Sequence, residues 1–107
     1  MTTFDKREEG FEKQFALDEE LRFKATARRN KLTGLWAAEK LGLTGADAEN
    51  YAKSVVMADF EEQGDHDVVR KIRRDFDAKG VAQSEHQISR TMTEFMEKAV
   101  ADIKAGR

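Results

Sequence analysis

Leu21-Arg-Phe-Lys-Ala-Thr-Ala-Arg-Arg-Asn-Lys-Leu-Thr-Gly-Leu-Trp-Ala-Ala-Glu-Lys-Leu41 contains the chain's only tryptophan. Leu21, Ala25, Arg28, Leu32, Leu35 and Trp36 fall at offsets 0, 4, 7, 11, 14 and 15. That spacing is the signature of one face of an α-helix, and a core-facing stripe is expected there. Asp18 stands where it can cap the helix, and Glu19 and Glu20 follow in the first turn, where the helix dipole favours negative charge. Gly42 after Lys40-Leu41 suits a left-handed C-cap. A helix over residues 18–41 is predicted.

Three more helical patterns follow. Thr44-Gly-Ala-Asp47 resembles a capping box and opens the stripe Ala48, Tyr51, Ala52, Val55, Val56, Asp59 and Phe60, with Gly64 as terminator. Val69, Ile72 and Phe76 form a short stripe in a helix beginning near Asp65 and ending at Gly80. Ser84-Glu-His-Gln87 is a full capping-box pattern ahead of Ile88, Met92, Phe95, Met96, Ala99 and Ile103. The links between these helices are short, which favours antiparallel neighbours. Proline is absent, and β-branched residues nowhere alternate with polar ones over a strand length. The expected fold is all-α: a small four-helix bundle over residues 18–107, preceded by a flexible N-terminal extension over residues 1–17.

Composition narrows the function. Of 107 residues, 39% are hydrophobic and 37% charged, with a net charge of -2, so the chain as a whole carries no cationic footprint for nucleic acid. Cysteine is absent, which excludes disulfides and thiol catalysis. No apolar run approaches the roughly 20 residues that span a bilayer, and Met1-Thr-Thr-Phe-Asp5 has no apolar core of a secretory signal. A soluble cytoplasmic protein is therefore expected, with no membrane insertion.

Candidate chemistry is sparse. His66 and His86 lack the partners and spacing of a metal site, and no metal is expected. The run Arg70-Lys-Ile-Arg-Arg74 is bracketed by Asp65, Asp67, Asp75 and Asp77 and reads as a solvated helix face, not a nucleic-acid patch. Asp59, Glu61, Glu62 and Asp65 are acidic neighbours, but a bundle this small leaves little room for the cleft that general acid–base work requires. No nucleophile triad or phosphate loop is present, so the chain is not read as an enzyme. Arg28 lies within the expected stripe of the first helix and Asp59 within that of the second. Two readings follow: an Arg28–Asp59 pair across the bundle, or an anion site made by Arg28, Arg29 and Lys31.

The N-terminal segment is polar, and Gly10 opposes a continuous helix by about 1 kcal/mol. Yet Phe4, Phe11 and Phe15 recur at offsets 0, 7 and 11, so a helix would place them on one face. Burying each phenylalanine gains about 1.5–3 kcal/mol. Ordering the segment costs about 1–2 kcal/mol per residue, so it does not fold alone. Either it folds in a partner's groove, aided by ion pairs from Lys6, Arg7 and Lys13, or it folds back on its own bundle as a hydrophobic flap.

Arg28-Arg-Asn-Lys-Leu-Thr-Gly-Leu-Trp-Ala-Ala-Glu-Lys-Leu-Gly42 resembles the zeta subunit family of alphaproteobacterial F-type ATP synthases, which are small ATPase inhibitor proteins. The likeness also takes in Met1-Thr-Thr-Phe-Asp5, Phe15, Phe23-Lys-Ala25, Tyr51-Ala-Lys53 and Ala58-Asp-Phe-Glu-Glu62, and covers the chain to about Asp77. It implies a four-helix bundle with a mobile N-terminal segment that enters a catalytic interface of the α/β/γ head, becomes helical there and blocks hydrolysis. Carried onto this chain, the inhibitory region is Met1 to about Asp18, with Phe4, Lys6, Arg7, Phe11, Lys13 and Phe15 as partner-binding residues. The bound protein would sit at the cytoplasmic face of the inner membrane. The resemblance also implies adenine nucleotide, ATP or ADP, as a possible ligand near Arg28, Arg29 and Lys31. A nucleotide-sensing helical module without ATPase inhibition is the alternative function; no cofactor is otherwise expected.

Overall fold

The computed structural model describes residues 19–61 and 65–106, with the side chains of residues 60, 61, 65 and 66 left aside. Four α-helices account for them: α1 (Glu19–Lys40), α2 (Gly45–Glu61), α3 (Asp65–Lys79) and α4 (Glu85–Lys104). The expected all-α bundle is what is found. Helix α1 is its hub. It packs extensively on α2 and α4 and more lightly on α3, while among the described residues α2 and α4 do not meet.

The helix ends follow from local chemistry. At the end of α1, Gly42 takes φ 78°. The Leu43 N–H donates to the Ala38 carbonyl at 2.9 Å and the Gly42 N–H to the Glu39 carbonyl at 3.1 Å. This pair of bonds is the Schellman closure, and the left-handed residue it requires is favourable only for glycine. The same closure ends α3: Val81 N–H donates to Phe76 and Gly80 N–H to Asp77. At the start of α4 the Ser84 hydroxyl accepts from the Gln87 N–H at 3.1 Å, and Gln87 Oε1 accepts from the Ser84 N–H at 2.8 Å. Two orphan amides are satisfied reciprocally, as the sequence pattern predicts.

The core is built from Ala37, Val55, Val68, Val69, Ile72, Phe76, Ile88 and Met92, with Trp36, Leu41, Tyr51 and Val81 packed against it. The Trp36 indole meets the Phe76 ring edge-on, with centroids 5.7 Å apart. Val69, Ile72 and Phe76 of α3, and Ile88, Met92 and Ala99 of α4, are buried as their spacing predicts.

Helix α1 differs from its expectation. Of Leu21, Ala25, Arg28, Leu32, Leu35 and Trp36, only Ala25 is fully buried; the others are half-buried. The buried face is instead Ala25, Arg29, Asn30, Thr33, Gly34, Ala37 and Ala38. The reason is the hub position. A helix that approaches others closely presents small side chains where the backbones meet, and its large ones fill the gaps to either side. A Cβ on Gly34 would stand 2.7 Å from Ala52 Cα, so α1 and α2 are in near backbone contact there.

Candidate functional site

Residues 1–18 lie outside the described residues, and with them Phe4, Lys6, Arg7, Phe11, Lys13 and Phe15. The side chains of Glu61, Glu62, Asp65 and His66 also lie outside them. What the structure places is the bundle itself, with the basic residues of α1.

The expected Arg28–Asp59 pair is not formed. Arg28 Nε lies 3.7 Å from Asp102 Oδ2 of α4, which Lys98 Nζ also approaches at 3.7 Å. Asp59 is met by Asn30, whose Nδ2 donates to Asp59 Oδ2 at 2.9 Å. Asn30 Oδ1 in turn accepts from Arg29 Nε at 3.1 Å and from Arg29 Nη2 at 2.9 Å. The helix therefore turns Arg29, not Arg28, toward the interior, and a neutral amide joins the buried guanidinium to the carboxylate. The amide uses a donor and an acceptor at once, so each charged group keeps a hydrogen bond on leaving water. Thr33 completes the polar seam by donating its hydroxyl to the Arg29 carbonyl at 2.7 Å.

Arg28 and Lys31 stand one turn apart on the accessible side of α1, whereas Arg29 is only 4% exposed and lines a cavity of about 350 Å³ with Met92 and Met96. The three cations that the sequence grouped as an anion site thus face two different environments. Asn30 and Asp102 are buried polar residues that the sequence reading passed over. Asp102 had a signal, since Lys98 stands one turn before it. Asn30 had none apart from its place beside two arginines.

On the opposite side of α2, the Tyr51 hydroxyl donates to Asp75 Oδ2 at 2.8 Å, and Lys71 Nζ meets the same oxygen at 3.0 Å. Lys71 also stands 5.1 Å from the Tyr51 ring centroid. Burial, then the hydrogen bond to Asp75 and its charge, push the Tyr51 phenol well above the usual tyrosine range. The folded state therefore keeps the proton where the unfolded chain gives it up. The contribution is fully present below about pH 10 and is lost as pH rises beyond it. Tyr51→Phe is expected to cost about 0.5–1.5 kcal/mol at neutral pH. In denaturant titrations from about pH 8 to 11, the gap between the two proteins should narrow above about pH 10. A gap constant across that range would contradict this account.

Lys71 and Asp75 of this cluster also line an open groove of about 840 Å³ between α2 and α3. Met57 and Ala58 of α2 line it with Arg70 and Arg74 of α3, and so do two carboxylates, Asp67 and Asp75. Among the described residues, no group of three His, Cys, Asp or Glu is arranged to hold a metal ion. Nor is any described helix long and apolar enough to cross a membrane.

Three solved chains match the protein. One, determined by solution NMR, is 45% identical and superposes with a TM-score of 0.70 over 81% of this chain and 99% of its own. No curated protein matches it. The family model for ATPase inhibitor subunit zeta matches residues 1–102. With nearly the whole chain inside that match and a four-helix fold shared with a close relative, the chain belongs to the ATPase inhibitor subunit zeta family.

Proposed function

We propose that this chain is the inhibitory subunit of an F-type ATP synthase, and that it blocks ATP hydrolysis by placing residues 1–17 in a catalytic interface of the α/β/γ head. Membership of an ATPase inhibitor family makes the protein a regulator that associates with an ATPase. The observation that carries the finer reading is that the family match begins at residue 1, so it takes in the phenylalanine-bearing segment as well as the bundle. In this reading Phe4, Phe11 and Phe15 anchor the segment, and Lys6, Arg7 and Lys13 pair with the head's carboxylates. The bundle stops the segment from passing through. The complex forms in the cytoplasm, against the membrane that holds the synthase.

Deletion of residues 1–17 tests it. The four described helices begin after that point, so the truncated chain should keep its helical circular dichroism and lose inhibition of purified ATPase. A truncated chain that inhibits as strongly as the whole one would overturn the tail mechanism. Within the full chain, each Phe→Ala change removes about 1.5–3 kcal/mol of burial. Each should therefore raise the half-inhibitory concentration about tenfold or more.

A further inference from the structure

The groove between α2 and α3 has an unusual combination of parts. Met57, which lines it, is 54% exposed, a large apolar side chain left open to water. Arg70 and Arg74 stand one turn apart in the lining, both exposed. Two neighbouring cations of α3 have carboxylate partners: Lys71 pairs with Asp75 at 3.0 Å and Arg73 with Asp77 at 3.1 Å. Among the described residues, Arg70 and Arg74 have none within ion-pair distance. Of the two carboxylates in the lining, Asp75 is held by Tyr51 and Lys71, so with Asp67 against Arg70 and Arg74 the open charge is still cationic, and two guanidiniums beside a thioether fit a peptide in which carboxylates flank an aromatic ring.

The chain contains such a peptide. Glu8-Glu-Gly-Phe-Glu12 sets three carboxylates around Phe11. It is also within reach. Asn30 of α1 bonds Asp59 of α2, while Gly34 faces Ala52. The two helices are therefore antiparallel, and the start of α1 lies at the same end of the bundle as Met57. From Glu19 back to the level of Asn30 is roughly 16 Å at 1.5 Å per residue. Met57 lies about 140° round α2 from Ala52, so the crossing adds one helix spacing of about 8–10 Å and a helix radius of about 5 Å. The seven Cα steps from Glu12 to Glu19 span up to roughly 23–25 Å, more than the diagonal of roughly 21–22 Å that the two legs make.

We propose that this groove docks the chain's own residues 8–12, with Glu8, Glu9 and Glu12 on Arg70 and Arg74 and Phe11 against Met57. The tether holds the peptide near the groove at high effective concentration, which an external acidic peptide lacks. The uninhibiting protein thereby keeps part of its N-terminal segment against the bundle until a partner takes it. Only that last consequence rests on the inhibitory reading given above; the docking itself does not.

The absence of cysteine makes a direct test possible in the full chain. A nitroxide placed by Gln14→Cys should broaden the Met57 methyl and the Arg70 and Arg74 amide signals, and leave the Gly80–Gln83 link at the far end sharp. Arg70→Glu with Arg74→Glu should abolish the broadening. So should Glu8, Glu9 and Glu12→Lys, and combining the two sets should restore it. At 1 M salt, where the screening length is about 3 Å, the effect should fade. Sharp groove signals in the labelled wild type would overturn the proposal. Broadening that appears only between labelled and unlabelled molecules would overturn it too, because the occupant would then be a second copy. No ATPase enters the readout, so this result and the deletion test above can fail independently.

Discussion

Gly34→Leu is expected to lower the melting temperature by roughly 15 °C. Helices α1 and α2 meet at this glycine, and a Cβ there would lie 2.7 Å from Ala52 Cα and 3.1 Å from Ala52 Cβ. Carbon atoms at rest sit about 3.5–4.0 Å apart. A longer side chain must force the two backbones away from each other, and overpacking of this kind costs typically 1–3 kcal/mol, at its upper end here. Thermal melts by circular dichroism give the measurement. Gly34→Ala is the sharper case, because two effects compete. Alanine gains about 1 kcal/mol in helix propensity over glycine. The clash falls on a backbone carbon that cannot rotate aside, so a net loss of about 1 kcal/mol is expected. Ala52→Gly should not rescue it, since the nearest atom is Ala52 Cα, which glycine retains. A Gly34→Ala protein more stable than wild type would show that the helices have room to part.

Asn30→Ala is expected to cost about 3 kcal/mol, far more than its exposed neighbours. Asn30 is 1% exposed. Its amide accepts two hydrogen bonds from Arg29 and donates one to Asp59. Removing it takes partners from two charged groups at once, and each hydrogen bond to a charged group is worth about 1.5–3 kcal/mol. Asn30→Asp keeps the acceptor for Arg29 but sets a carboxylate against Asp59, and should be nearly as damaging at neutral pH. Arg28→Ala is the comparison. Its ion pair with Asp102 is long, at 3.7 Å, and its side chain is 36% exposed, so its loss should cost no more than about 1 kcal/mol. Urea midpoints of the two variants order the effects. An Asn30→Ala protein no weaker than Arg28→Ala would sink the reading of Asn30 as the link across the seam.

Both predictions concern α1, where the sequence and the structure part company. Hydrophobic periodicity weights large residues, so Leu21, Leu32, Leu35 and Trp36 drew the expected stripe. The contact between α1 and α2 is decided by closeness, not by area, and closeness selects Gly34, Ala37 and Ala38. Arg28 and Arg29 differ by one position and about 100° of helix turn, so a rotated face exchanges their roles. That exchange also divides the proposed anion residues, leaving Arg28 and Lys31 accessible and Arg29 inside.

By itself the sequence determined what is local or periodic. Gly42 and Gly80 ended helices because only glycine takes the left-handed residue of those turns cheaply. Ser84 and Gln87 opened α4 by bonding each other's backbone. Val69, Ile72 and Phe76, with Ile88, Met92 and Ala99, marked buried faces because α3 and α4 each present one stripe to the core. The tertiary structure alone decided which side of α1 lies innermost, that Asn30 joins Arg29 to Asp59, and that Met57 lies open beside Arg70 and Arg74. Each of these depends on where a second helix stands, and no spacing along one helix encodes the position of its neighbour.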